Sequence, residues 1–295
     1  MHTAPSRHIL RQRLRQLILM RETGPKRPAW HLRRMQLIWG LHDALAALDG
    51  GLTPEFPQTL VAYMREGTPD FVRQFKEFST ESNDSKAAID RAAEWVARWG
   101  RQRNWELTRW KDASAPDSVS FRILGKAGPR ILLVGHHDDT AVVARAGIIA
   151  AMTAMAALEE CGGLGDIGCI TLLSGGDGTT DRRVLYSAVA ELGLRHDCVV
   201  HLGAIPHGAV HISATAKQFD VCASLLQQLS LAVGVEAREI SAITLAHEPI
   251  LHLPGVTGLG PAQDDTPLGI DEQSIAPQTA LLALFCARYA TVFAH

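Results

Sequence analysis

Two histidines and two aspartates stand side by side in "RILLVGHHDDT", residues 130–140, directly after four apolar residues and a glycine. Imidazole nitrogens and carboxylate oxygens are a protein's commonest metal ligands and its general acids and bases near neutral pH. The apolar run reads as a buried strand, and the crevice beyond the carboxyl ends of parallel strands is where open α/β sheets place their ligands. His136, His137, Asp138 and Asp139 are therefore the first candidates for acid, base or metal chemistry. Asp177 and Asp181 follow "GCITLLSGG", His201 and His207 lie in and after "DCVVHLG", and Asp264 and Asp265 lie in "GPAQDDTP". Three or four of these could converge on one metal ion. In the plainer reading, favoured here, Asp139 caps the next turn, Asp177 and Asp181 sit in a solvated loop, and hydrogen bonds satisfy His201. Ser174, in "LLSGGDG", lacks the G-x-S-x-G elbow of a serine hydrolase. The glycines after it read as a turn rather than an anion cradle.

The elements that must position these residues are legible from periodicity. "WELTRW" and "SVSFRIL" read as strands leading into "RILLVG". "GIIAAMTAMAALEECGG" then reads as an Ala-rich helix with a glycine stop, expected to start near Gly147 and to pack directly on the strand of residues 131–134. "GCITLLSGG", "DCVVHLG", "AVHISA" and "GVTGLG" read as strands. "RRVLYSAVAELG", "FDVCASLLQQLSLAVG" and "APQTALLALFCARYATVF" read as helices. Such alternation specifies an α/β fold of three layers (αβα) with a mostly parallel central sheet. Upstream, "DFVRQFKEFS" and "SKAAIDRAAEWVARWGRQ" read as two more helices. Residues 1–67 read as an added N-terminal helical segment of three helices, expected to lie packed on the α/β domain of residues 68–295.

Composition narrows the class. The 295 residues are 46% hydrophobic and 20% charged, which suits a folded globular chain and argues against disorder. A formal net charge of -2 gives no general attraction to nucleic acid or an anionic membrane. The local basic run "RHILRQRLRQLILMRETGPKRPAWHLRR" has leucines at helical spacing and reads as a solvated helix face. No stretch reaches the roughly 18 apolar residues of a membrane span. The five cysteines, Cys161, Cys169, Cys198, Cys222 and Cys286, are odd in number and never spaced C-x-x-C, as expected of buried thiols in a reducing cytoplasm.

"FVRQFKEFSTESNDSKAAIDRAAEWVARWG", "ILLVGHHDDT", "GIIAAMTAMAALEECGGLGDIGCITLLSGGDG", "GVTGLGP" and "IDEQSI" occur in an order that resembles the zinc carboxypeptidase, aminoacylase and succinyl-diaminopimelate desuccinylase family, over residues 70–290. The resemblance implies a zinc-peptidase-like fold and a G-H-x-D motif at Gly135, His136 and Asp138, with His136 a metal ligand oriented by Asp138. It also implies a bridging aspartate on a loop that is absent here, since Asp139 runs through "TAVVARA" into the helix. The family's base and its neighbouring ligand fall on Gly178 and Thr179, after Asp177. Its next acidic ligand falls on Gly203, and its last histidine ligand on Leu268, just before Asp271 and Glu272. The family's inserted lid domain has no counterpart.

One ligand of five survives, so no metal is expected, and His136 stands as the vestige of the site. Zinc needs several protein ligands in an open site, and a base beside it, to supply hydroxide. Three functions stay open. The first is a ligand-binding or partner-binding pseudoenzyme. The second is an enzyme of repurposed, metal-free chemistry using His136, His137, Asp138 or Asp177. The third is an amide hydrolase with a rebuilt mononuclear zinc site. Asp139, His201, His207, Asp271 and Glu272 are the expected ligand contacts in each case. The ligand would be a small amino-acid-like or peptide molecule, or a partner protein, with no nucleic acid or membrane involved.

Overall fold

The computed structural model describes residues 55–80, 86–111, 117–126, 128–137, 142–175, 183–193, 195–202, 210–213, 216–235, 240–242, 255–257 and 272–293. These form helices α1 (Phe56–Thr80), α2 (Lys86–Gln102), α3 (Val142–Glu160), α4 (Arg183–Gly193), α5 (Ala216–Val233) and α6 (Glu272–Phe293). The strands are β1 (Glu106–Trp110), β2 (Ser118–Leu124), β3 (Arg130–His136), β4 (Cys169–Gly175), β5 (Cys198–Leu202), β6 (Val210–Ser213), β7 (Ile240–Ala242) and β8 (Gly255–Thr257). They make one sheet in the order β1-β2-β4-β3-β5-β8-β6-β7. The β3/β4, β3/β5, β5/β8 and β6/β7 pairings are parallel, and β1/β2, β2/β4 and β6/β8 are antiparallel. The sheet is thus mixed, with a parallel centre at β4-β3-β5 where both faces are covered.

Alternation along β3 and β5 sorts side chains between the two faces. Ile131, Leu133, Cys198, Val200 and Leu202 join the larger core beneath the helices, while Leu132, Val134 and Val199 pack with Leu185, Ala188 and Val189 of α4. Helix α3 is buried on nearly every side, with Ala146, Ile148, Ala150, Ala151, Met152 and Ala154 at 1% exposure or less. It packs against the sheet and against helices α1 and α6, and a helix apolar all round is the kind that can be covered on so many sides. Its small residues allow close approach: a Cβ at Gly147 would lie 3.1 Å from Cβ of Leu202, and one at Gly135 would lie 2.7 Å from Cγ1 of Ile148. This places α3 directly on β3 and β5, as expected, although the helix begins at Val142, five residues before Gly147.

One helix, α1, replaces two expected ones, the last of the three in residues 1–67 and "DFVRQFKEFS". It continues through Gly67 and Pro69, so the 67/68 boundary falls inside an unbroken helix. Its buried stripe of Phe56, Leu60, Met64, Phe71, Phe75 and Phe78 packs on α3, α5 and α6. That continuous apolar seam outweighs the cost of an interior proline. Tyr63 Oη donates to Glu160 Oε2 at 2.8 Å, tying α1 to the end of α3. The helices expected before residue 55 lie outside the described residues. Strand β7 was not anticipated.

Candidate functional site

Period two sends consecutive residues at the end of β3 to opposite faces. His136 continues the Leu132–Val134 row toward α4, and His201 continues the row begun by Val199 on β5. The parallel register sets Val134 opposite His201 and Gly135 opposite Leu202, so the two imidazoles come from adjacent strands at the same edge. Their Nε2 atoms lie 3.1 Å apart, with ring centroids 5.2 Å apart and planes at 71°. Both residues are partly exposed. At this distance one Nε2–H donates to the other ring's lone pair. The pair therefore presents one shared proton at the carboxyl end of the sheet.

His137 turns the other way, and its side chain is fully buried. Its Nδ1 lies 2.8 Å from Oγ of Ser174 on β4, and its backbone N–H donates to the Gly175 carbonyl at 3.0 Å. These contacts fasten the residues just before the 138–141 connection to those just before the 176–182 connection. Burial, and then the neighbouring His136, push the His137 pKa down to about 3, more than the Asp90 carboxylate of α2 opposes. Arg145 of α3, only 3% exposed and with its guanidinium 6.0 Å from the Phe78 ring centre, acts in the same direction. His137 is thus a neutral structural imidazole. It was expected as a candidate acid or base, but closed off from solvent it cannot exchange protons with a ligand in the crevice.

Glu272 opens α6 and is exposed in its first turn, where a carboxylate suits the helix dipole. Asp138, Asp139, Asp177, Asp181, His207, Asp264, Asp265 and Asp271 lie outside the described residues, as do Gly178, Thr179, Gly203 and Leu268. Among the described residues no group of three His, Cys, Asp or Glu side chains is placed to hold a metal ion. His136 and His201 supply two nitrogens, half of a tetrahedral set and a smaller share of a dinuclear one. Only seven residues, 203–209, separate β5 from β6, so no lid domain is inserted there. Sequence reasoning named both His136 and His201 but not their contact, and it missed the burial of Arg145 beside His137. The signal for the first was parity: each histidine lies an even number of residues from an apolar neighbour that faces α4.

No family model matches the chain, and no curated protein does. Solved structures do share its fold. LapB from Legionella pneumophila aligns with a TM-score of 0.58 at 11% identity, over 78% of this chain and 74% of that one. A glutaminyl cyclase from an Acidobacteriales bacterium aligns with a TM-score of 0.56 at 14% identity, over 78% of this chain and 95% of that one. A proposed Zn-dependent exopeptidase from Bacteroides vulgatus gives a TM-score of 0.55 at 11% identity, over 76% and 95%. The chain therefore has a metallopeptidase-like α/β fold. Among the described residues no helix is long and apolar enough to cross a membrane.

Proposed function

We propose that this chain is a divergent metallopeptidase-fold protein that does not run the dinuclear hydrolase reaction, and that its crevice binds a small amino-acid-like or peptidyl ligand. The observation that supports this reading is the His136–His201 contact. The histidine that the resemblance makes the surviving ligand stands at hydrogen-bond distance from a second imidazole. A pair sharing one proton offers a donor to a carboxylate or carbonyl and an acceptor to an amide. The resemblance assigns the base and the other ligands to Gly178, Thr179, Gly203 and Leu268, which can neither activate water nor bind a metal through their side chains. The test is thermal stabilisation by a panel of N-acyl amino acids and dipeptides in the presence of a chelator. The reading requires a rise in Tm with at least one member that the His201→Ala variant loses. Stabilisation seen only with added metal would overturn it.

The same distance also favours a second reading, a single metal ion held by both imidazoles. Two nitrogens at zinc-ligand distance in a tetrahedral site stand about 3.3 Å apart, close to the separation of 3.1 Å here. Near-stoichiometric zinc in the purified protein, lost in both His136→Ala and His201→Ala, would establish this alternative. Its absence would leave the metal-free ligand site.

A further inference from the structure

Two adjacent rows of residues run across the sheet from β3 to β7, and they differ in kind. In the first, the register sets Leu133, Val200, Val256, Ile212 and Ala242 opposite one another, and all five are apolar. The second reads Val134, His201, Thr257, His211 and Ser241. Because a strand alternates, neighbouring rows belong to opposite faces of the sheet. Leu133 and Val200 lie in the larger core with Cys222 and Leu225 of α5, so the first row is the floor beneath that helix. The second row therefore belongs to the α4 face. Beyond Val134 it consists only of imidazole and hydroxyl residues.

The polar row starts where His201 meets His136, so it continues the histidine crevice toward the β7 edge. Neighbouring strands stand about 4.8 Å apart, which puts Thr257 one step from His201 and His211 two steps, about 10 Å, away along the backbone positions. Gly255, two residues before Thr257 on the same face, adds no side chain beside it. A strand that merely faces water near a sheet edge commonly carries lysine or other charged residues, and this row carries none. Its groups donate hydrogen bonds to oxygen, and without a carboxylate among them they suit an anionic group better than a cation. We propose that Thr257 and His211 form the far half of the crevice and that its ligand is an N-acyl amino acid with an acidic side chain, which rests on the small-ligand reading given above. The acyl amide would lie at His136 and His201, and the side-chain carboxylate at Thr257 and His211. From His201 to midway between Thr257 and His211 is about 7 Å, the length of two residues of extended chain, which an N-acylglutamate covers.

The probes are N-acetylglutamate and N-acetylglutamine, which match in shape and differ by one charge, titrated calorimetrically into the full-length protein with a chelator present. N-acetylglutamate should bind at least about tenfold more tightly, because only its side chain offers a charge-assisted hydrogen bond. His211→Ala should remove most of that preference, and Thr257→Val should reduce it; the second variant carries the comparison if the first fails to fold. Equal affinities for the two probes, or a preference that survives both substitutions, would overturn the acidic-ligand assignment and leave the small-ligand reading in place. Failure of both probes to bind would overturn it too. Only failure of the whole panel of N-acyl amino acids and dipeptides would overturn the small-ligand reading itself.

Discussion

His136 on β3 and His201 on β5 meet through their Nε2 atoms at 3.1 Å, at the carboxyl edge of two adjacent parallel strands. The contact joins residues 65 positions apart in the sequence. It puts a shared proton where proteins of this fold class keep their chemistry, and it makes the two residues one unit whose loss should be read together.

The first expectation concerns catalysis. If the family's base and three of its ligands fall on Gly178, Thr179, Gly203 and Leu268, as the resemblance implies, hydrolysis of N-acyl amino acids and dipeptides should be indistinguishable from background, with or without zinc or cobalt. General base catalysis alone is typically worth about 10²- to 10⁴-fold, and the metal-bound hydroxide is the nucleophile itself. An amide-hydrolysis panel run beside His136→Ala checks this. Metal-dependent turnover that the variant lacks would show that the site has been rebuilt.

His137 should make stability depend on acid pH. Its folded-state pKa is held near 3, below the ordinary value of 6.5. Between those values the unfolded chain binds a proton that the folded chain does not. The contribution to stability is therefore complete above about pH 6.5 and declines as the pH falls toward 3, by roughly 1.4 kcal/mol per pH unit in that window. Urea unfolding near pH 7 and near pH 5, for the protein and for His137→Asn, measures the effect. An equally steep decline in the variant would assign it to another group, such as His196, whose pKa burial also lowers.

Two glycine substitutions should act in opposite directions. A Cβ at Gly135 would lie 2.7 Å from Ile148 in the seam between β3 and α3, whereas one at Gly67, within α1, would meet nothing within 4 Å. Gly135→Ala should destabilise by about 1–3 kcal/mol through overpacking. Gly67→Ala should stabilise by about 0.5–1 kcal/mol, because alanine suits a helix interior better. Chemical denaturation of both variants checks the signs, and a neutral Gly135→Ala would mean that Ile148 yields easily.

The thiols should be inert in the folded protein. All five cysteines are free, and only Cys161 is partly exposed. Burial pushes Cys222 and Cys286 up to about 12 and Cys198 well above its ordinary value, so the reactive thiolate is scarce. A colorimetric thiol reagent should label at most Cys161, slowly, under native conditions, and all five after denaturation. Rapid native labelling would point to a nucleophilic cysteine that the burial pattern hides.

The sequence by itself determined most of the elements and the α/β class of the sheet they build. Apolar runs such as "ILLV" and "CITLL" between turn residues read as buried strands, and the Ala-rich stretch "GIIAAMTAMAALEECGG" as a helix packed on them, because such surfaces need covering. It also placed His136 at a strand end. What it could not determine was which neighbours meet. Strand β4 precedes β5 in the chain, yet β3 lies between them in the sheet, and that crossover brings His201 to His136 while setting Ser174 beside His137. Adjacent in sequence, His136 and His137 differ in environment because a strand alternates and the two faces are covered by different helices. Only the packed structure decided that one imidazole borders the crevice and the other is sealed beneath α2 and α3. Desolvation, which separates their chemistry, is a property of the surroundings and not of the residue.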